Sequence, residues 1–200
     1  MKKGFKNSIS IFSLVVLAVA LSACSHNVLV APAPPQQINA PKSPLNVGLY
    51  ITDQFKNFQI SESRKGDTWI YPNLGQASAD QLQLALQKVF SSVEVVSSKP
   101  PVKSNKDITI HAVIEPAIEK FDFNIPMTKF QVYPATITYK ITVYDKVGKI
   151  ILTKTIAGVG DTKGSPGFDF AANPARSASK AVTEGVKNAV EVIANSNEVK

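Results

Sequence analysis

Two periodicities organise this chain. Leu82, Ala85, Leu86, Val89, Phe90 and Val93 recur at i, i+3, i+4, i+7, i+8 and i+11, the single apolar stripe of a helix lying on a core. Ser78 and Gln81 precede the stripe and fit a capping box, in which each side chain satisfies a backbone N–H that the first turn leaves unpaired. The helix is therefore placed over about 78–92. A second stripe, Ala178, Ala181, Val182, Gly185, Val186, Ala189, Val190 and Ile193, is built mostly of small residues. It predicts a helix over about 174–193, with Pro174 at the favoured first position. Small side chains let a helix lie close to a sheet, although Gly185 costs about 1 kcal/mol of helix propensity relative to Ala.

Alternation with period two marks the strands. Ile137, Tyr139, Ile141 and Val143 face one way while Thr136, Thr138, Lys140 and Thr142 face the other, a turn follows at Asp145 to Gly148, and Lys149 to Ala157 returns. That is a hairpin. Ile108, Ile110, Ala112 and Ile114 alternate with Thr109, His111 and Val113, which predicts one strand with one strongly apolar face. Val47 to Ile51 and Val93 to Val96 read as short buried strands, and Phe121 and Phe123 as part of another. Residues 52–76 predict a long ordered loop with short edge strands and a turn at Arg64-Lys65-Gly66-Asp67. Residues 97–106 predict an exposed loop, and the Gly-rich stretch from Gly158 to Asn173 a mobile one. The economical fold is a single α+β domain, with a mostly antiparallel or mixed sheet and both helices packed on one face.

The N-terminal part has a different composition. Five of the thirteen prolines (Pro32, Pro34, Pro35, Pro41, Pro44) fall within residues 25–45. Proline removes a donor and fixes φ, which excludes the stretch from a central sheet or a helix interior. Read as an extended tether of about 20 residues, it would reach roughly 60 Å. Before it come Lys2, Lys3 and Lys6, an apolar run from Ile11 to Leu21, and then Leu21-Ser22-Ala23-Cys24, which contains the one cysteine of the chain. Charged, apolar and small-residue segments in that order make a secretory signal. Eleven residues, interrupted only by polar Ser13, give roughly 16 Å of helix, about half of a ~30 Å hydrocarbon core, too short for a permanent span.

Leu21-Ser22-Ala23-Cys24 resembles the lipobox of bacterial lipoproteins. The resemblance implies cleavage between Ala23 and Cys24, acylation of the Cys24 thiol and amine, and insertion of the acyl chains into a bilayer. It divides the chain into a signal peptide (1–23), a lipidated cysteine with a proline-rich tether (24–45) and an αβ periplasmic domain (46–200). Ser25 is not the aspartate that resembles an inner-membrane retention signal, so the resemblance implies the periplasmic face of the outer membrane rather than the inner membrane. The element order is also similar to small periplasmic lipoproteins that serve as accessory subunits, including those of curli secretion and exopolysaccharide export.

Charge and side-chain inventory exclude several classes. Lys2, Lys3 and Lys6 account for three of the +7 net charge and no acid goes with them, so +4 remains after cleavage. That is too mild and dispersed for a nucleic-acid-binding stripe. With Cys24 acylated there is no internal disulfide, and two isolated histidines, His26 and His111, predict no zinc or transition-metal site. No Gly-x-Ser-x-Gly elbow is present. The Gly158–Ser165 stretch is not a phosphate loop, because Lys163 precedes Gly164 and Pro166 follows. Glu115, Glu119 and Asp122 read as paired carboxylates or as alternating surface charge. Phe58, Trp69 and Tyr71, aromatics in a polar loop, are candidates for an interaction surface or for packing onto their own domain. The expectation is a protein with no cofactor and no enzymatic activity that binds other envelope proteins in assembly, secretion or envelope integrity. The alternative is capture of a glycan or lipid between sheet and helices.

Overall fold

A computed structural model describes residues 24–35, 37–102, 104, 108–126, 131–163 and 171–199. The signal-like residues 1–23, with the expected cleavage position Ala23, lie outside the described residues. In chain order the elements are β1 (Ser25–Asn27), β2 (Ser43–Tyr50), α1 (Asp53–Lys56), β3 (Ile60–Arg64), β4 (Asp67–Tyr71), α2 (Leu74–Gln87), β5 (Phe90–Val96), β6 (Ala112–Phe123), β7 (Val132–Asp145), β8 (Ile150–Lys163) and α3 (Ala172–Asn195), with a 3₁₀ turn at Asn197–Val199. This is the α+β domain expected, with a mixed sheet in the order β5-β2-β6-β7-β8 and a small sheet in the order β1-β4-β3. β2 runs parallel to both β5 and β6, whereas β6, β7 and β8 form an antiparallel meander.

Alternation sorts the sheet's two faces. Val47, Leu49, Ala112, Ile114, Ile137, Tyr139, Ile141 and Val143 join the main core with the stripes of α2 and α3. Val96, Ile110 and Val113 form a smaller cluster with Tyr50, Val102 and Ile108. Ile110 therefore does not share a face with Ala112 and Ile114. The strand begins only at Ala112, and the residues before it fold across to the other cluster.

Three further expectations are corrected. First, α2 spans Leu74–Gln87, not 78–92. Ser78 is not a cap but a buried interior residue whose Oγ lies 2.7 Å from Tyr139 Oη, and the apolar stripe runs on past the helix because Phe90 and Val93 continue into the core from β5. Second, the loop of residues 52–76 is a short helix and a hairpin. Its two-residue turn has Lys65 at φ +54° and Gly66 at φ +89°, the left-handed pair that matches strand twist. Third, Gly158 to Lys163 belongs to β8 and is not mobile, while residues 164–170 lie outside the described residues.

Gly158 and Gly160 are where α3 meets the sheet. Two residues apart, they share one face of β8. A Cβ on Gly158 would stand 2.1 Å from the Ala181 carbonyl oxygen, and one on Gly160 2.0 Å from that of Ser177. On the helix, a Cβ on Gly185 would stand 2.7 Å from Tyr139 Cε2. The small-residue stripe thus lets backbone lie on backbone.

The proline-rich segment is not a free tether. Val28 and Val30 are buried in the main core, and the segment lies as a strap along α2 and α3. Its backbone is met by side chains: Gln81 Nε2 donates to Pro32 O (3.0 Å), Thr183 Oγ1 to Ala33 O (3.1 Å), Lys88 Nζ to Pro35 O and Asn195 Nδ2 to Asn39 O (3.1 Å). Ala31 N and Asn39 N donate to Ser179 Oγ and Glu191 Oε1. The expectation that proline excludes residues 25–45 from a sheet holds only for the middle of the segment, whose carbonyls are met by helical side chains. Ser25–Asn27 pair with β4, and Ser43 to Leu45, Pro44 included, open β2 inside the larger sheet, where the pairing with β5 is irregular between Ser43 and Asn46.

Gly158→Ala is expected to destabilise the domain by about 2–3 kcal/mol, because the methyl group meets backbone that moves only with the whole helix. Val159→Ala, at an exposed neighbour, should stay within about 0.5 kcal/mol. Urea midpoints of the two variants check the contrast.

Candidate functional site

The site begins at Cys24. It is exposed, and its carbonyl oxygen accepts a hydrogen bond from Thr68 N at 2.9 Å. Ser25, His26 and Asn27 pair in parallel with Thr68, Trp69 and Ile70. The His26 ring stacks on the Trp69 indole with centroids 4.4 Å apart, and its Nε2 lies 3.4 Å from Asp67 Oδ2. Val28 N donates to Ile70 O, and the Asn73 side chain closes a two-bond clasp on the Val30 backbone. The attachment point expected from the sequence is thus stitched to the domain from its first residue.

The aromatic residues proposed as a surface are not one. Trp69 is 3% exposed and Tyr71 fully buried, while Phe58 is half-buried against the main core. Of the two readings left open for them, the structure takes packing onto their own domain. Tyr71 sits 4.9 Å from both Phe121 and Phe123, and the Arg64 guanidinium lies 5.3 Å from the Phe123 ring. The Tyr71 hydroxyl has no hydrogen-bond partner among the described residues. Burial, reinforced by the Glu62 charge, holds that phenol well above its ordinary pKa, so it stays neutral.

An open groove of about 730 Å³ lies where the strap, the end of β8 and the first turns of α3 meet. Leu29, Ala31, Val159, Arg176 and Lys180 are among its walls. Leu29 and Val159 are large apolar side chains that remain 65% and 61% exposed. The sequence points to the Gly158–Asn173 stretch as a surface to test, and that stretch supplies Val159 and Asp161 of the groove; Leu29, placed in a tether by its surroundings, is the wall the sequence misses.

Titratable groups gather on the sheet face opposite the helices. Tyr144 Oη donates to Glu115 Oε2 at 2.6 Å, and Lys99 Nζ lies 2.9 Å from the same oxygen and 3.1 Å from Tyr144 Oη. Hydrogen bonds to Glu115 and Tyr144 raise the Lys99 pKa, and burial with the Glu115 bond raises that of Tyr144. A nucleophilic or Schiff-base lysine needs the opposite shift. The cluster ties Lys99 to the sheet. Glu119 and Asp122 are engaged elsewhere, with Thr155 and Lys120. His111 lies just before β6, exposed, with Nδ1 accepting from Asn46 N at 3.1 Å. Among the described residues no group of three His, Cys, Asp or Glu could hold a metal.

The space between sheet and helices is filled at its centre, while at its edge about 310 Å³ stays open among Leu45, Phe90, Ala194 and Val199. Around Phe55, Ser78, Leu82, Tyr139 and Val186 the remaining gap does not admit a water.

Among solved structures, the chain is similar to protein XCC0632 from Xanthomonas campestris, described under family DUF330, at 13% identity and a TM-score of 0.53. That match covers 84% of this chain and 92% of the other. It is also matched to a candidate lipoprotein from Caulobacter crescentus CB15 (10% identity, TM-score 0.39, covering 58% and 77%). A third match is hypothetical protein CT253 from Chlamydia trachomatis (9% identity, TM-score 0.41, covering 70% and 88%). The first shows a shared fold and nothing about activity. No protein-family model and no curated protein sequence matches this chain.

Tyr71→Phe is expected to leave stability unchanged or raise it by about 1 kcal/mol, since it removes a desolvated hydroxyl with no partner. Trp69→Ala should cost about 3–5 kcal/mol through the cavity it leaves. Thermal or chemical denaturation of both variants separates an interior role from a surface one.

Proposed function

We propose that this chain is a lipid-anchored, non-catalytic protein of the bacterial envelope, acylated at Cys24, whose domain binds other envelope proteins. The observation that carries the reading is the position of Cys24. It is exposed, it follows a charged and apolar signal-like segment, and the ordered domain starts at the very next residue. No helix among the described residues is long and apolar enough to cross a membrane, and the acyl chains would supply the attachment. Ser25 after the cysteine supports the periplasmic face of the outer membrane.

The face offered to a partner is the groove around Leu29 and Val159, not the buried aromatics. Its walls carry Arg176 and Lys180 but also Asp161 and Glu184, with Lys180 3.9 Å from Asp161, so the exposed Leu29 and Val159 favour a segment that docks mainly through apolar side chains. The Lys99–Glu115–Tyr144 cluster supports a structural rather than a catalytic role, because Lys99 Nζ, Tyr144 Oη and Glu115 Oε2 are bonded to one another. Glycan or lipid capture between sheet and helices is the less favoured reading, since the centre of that interface is packed shut and the space left at its edge is smaller than the groove.

Cys24→Ser is expected to leave a precursor that keeps residues 1–23, takes up no radiolabelled palmitate and no longer fractionates with membranes. Normal processing and labelling of that variant would overturn the anchor. Crosslinking in intact envelopes should yield a protein adduct from a photoreactive residue at Val159 that is lost with Leu29→Asp. An adduct unaffected by Leu29→Asp would reject the groove as the binding face.

A further inference from the structure

We infer that the end of the β3–β4 hairpin is a lipid-contacting surface: acylated Cys24 holds the turn of residues 64–67 on the bilayer without a spacer, and Lys65 meets the phosphates of anionic headgroups. This rests on the acylation of Cys24 proposed above.

Register sets the geometry. β1 and β4 run in the same direction, with Ser25 opposite Thr68 and the Cys24 carbonyl bonded to Thr68 N. Cys24 therefore stands level with Asp67, within about one strand residue, or 3.3 Å, of the hairpin turn. The apolar run from Ile11 ends at Leu21, three residues upstream, so all membrane-directed material stops at this end of the domain. The chain that follows supplies no slack. His26 is stacked on Trp69, Val28 is buried, Val30 is clasped by Asn73, and the strap stays bonded as far as Asn39.

Charge selects the headgroup. Glu62 is paired with Arg64 at 2.6 Å, and Asp67 faces His26. Lys65, exposed at the tip, has no ion-pair partner among the described residues. An ammonium beside the lipid attachment point, with neighbouring acids already engaged, suits an anionic phospholipid surface. The opposite end of the domain is remote. Tyr71 of the small sheet packs on Phe123, which pairs with Ala135, and the ten residues from there to Asp145 carry β7 about 33 Å away.

The test uses the mature acylated protein in vesicles of phosphatidylethanolamine and phosphatidylglycerol with a nitroxide on the headgroup. Acylation consumes the native thiol, so Ser63→Cys beside the turn and Val147→Cys at the far end each carry one fluorophore. Emission from position 63 is expected to fall strongly and that from position 147 to stay unchanged. Equal, weak quenching at both positions, with the acyl mass confirmed, overturns this inference alone. A protein that carries no acyl group overturns it together with the anchor. A Gly/Ser linker inserted between Cys24 and Ser25 should restore emission at position 63. Quenching that survives the insertion overturns the claim that the missing spacer holds the turn down. Lys65→Glu in the Ser63→Cys protein should weaken quenching, and no change would remove Lys65 from the contact.

Discussion

Backbone contact between α3 and β8 is the constraint on which the rest of the structure depends. It exists because Gly158 and Gly160 offer no side chain where Ala181 and Ser177 arrive. Polar bonds then fix the approach: Ser177 Oγ donates to Tyr133 O at 2.5 Å, Lys180 Nζ to Asp161 O at 2.7 Å and Asn188 Nδ2 to Ala157 O at 3.1 Å. β8 is an edge strand, and Lys180 and Asn188 cover carbonyls on it that would otherwise help template another strand, while Ser177 reaches past it to β7. Gly185, a poor helix former, makes room for the Tyr139 ring, whose hydroxyl in turn engages Ser78 of α2. One close approach thereby positions both helices and the aromatic centre of the core.

With the helices placed, the groove along them receives the strap. A proline-rich chain brings few donors but keeps its carbonyls, and Gln81, Lys88, Thr183 and Asn195 supply the missing hydrogens. The strap carries Val28 and Val30 into the core and returns the chain start to β4. A segment whose composition suits a flexible spacer therefore works as a fastening. Its consequence is spatial, because Cys24 and the domain cannot separate without breaking buried contacts.

Polar chemistry in this domain is mostly closed on itself. Glu115, Tyr144 and Lys99 satisfy one another, and the aromatic side chains that stood in a polar stretch of sequence face inward. What remains open is a groove with two exposed apolar side chains and walls of mixed charge.

Local pattern determined much of this. The 3.6-residue stripes located both helices, period-two alternation located β7 and its return, and Arg64–Asp67 and Asp145–Gly148 declared turns by their own backbone preferences. The charge, apolar run and cysteine at the start marked Cys24 before any fold was known. Whatever depended on a partner distant in sequence was not legible. Ser78 looks like a cap until Tyr139 appears beside it, Gly158 and Gly160 look like a loop until a helix lies on them, and residues 25–45 look like a tether until α2 and α3 form their groove. Trp69 and Tyr71 show the same limit, since burial is settled by what packs from elsewhere. The sequence alone determined where the elements form and that Cys24 closes a signal-like segment, because propensity and periodicity act within a few residues. Only the tertiary structure decided which surfaces meet, because close packing matches shapes across the chain, and so it placed Cys24 beside β4 on the domain itself.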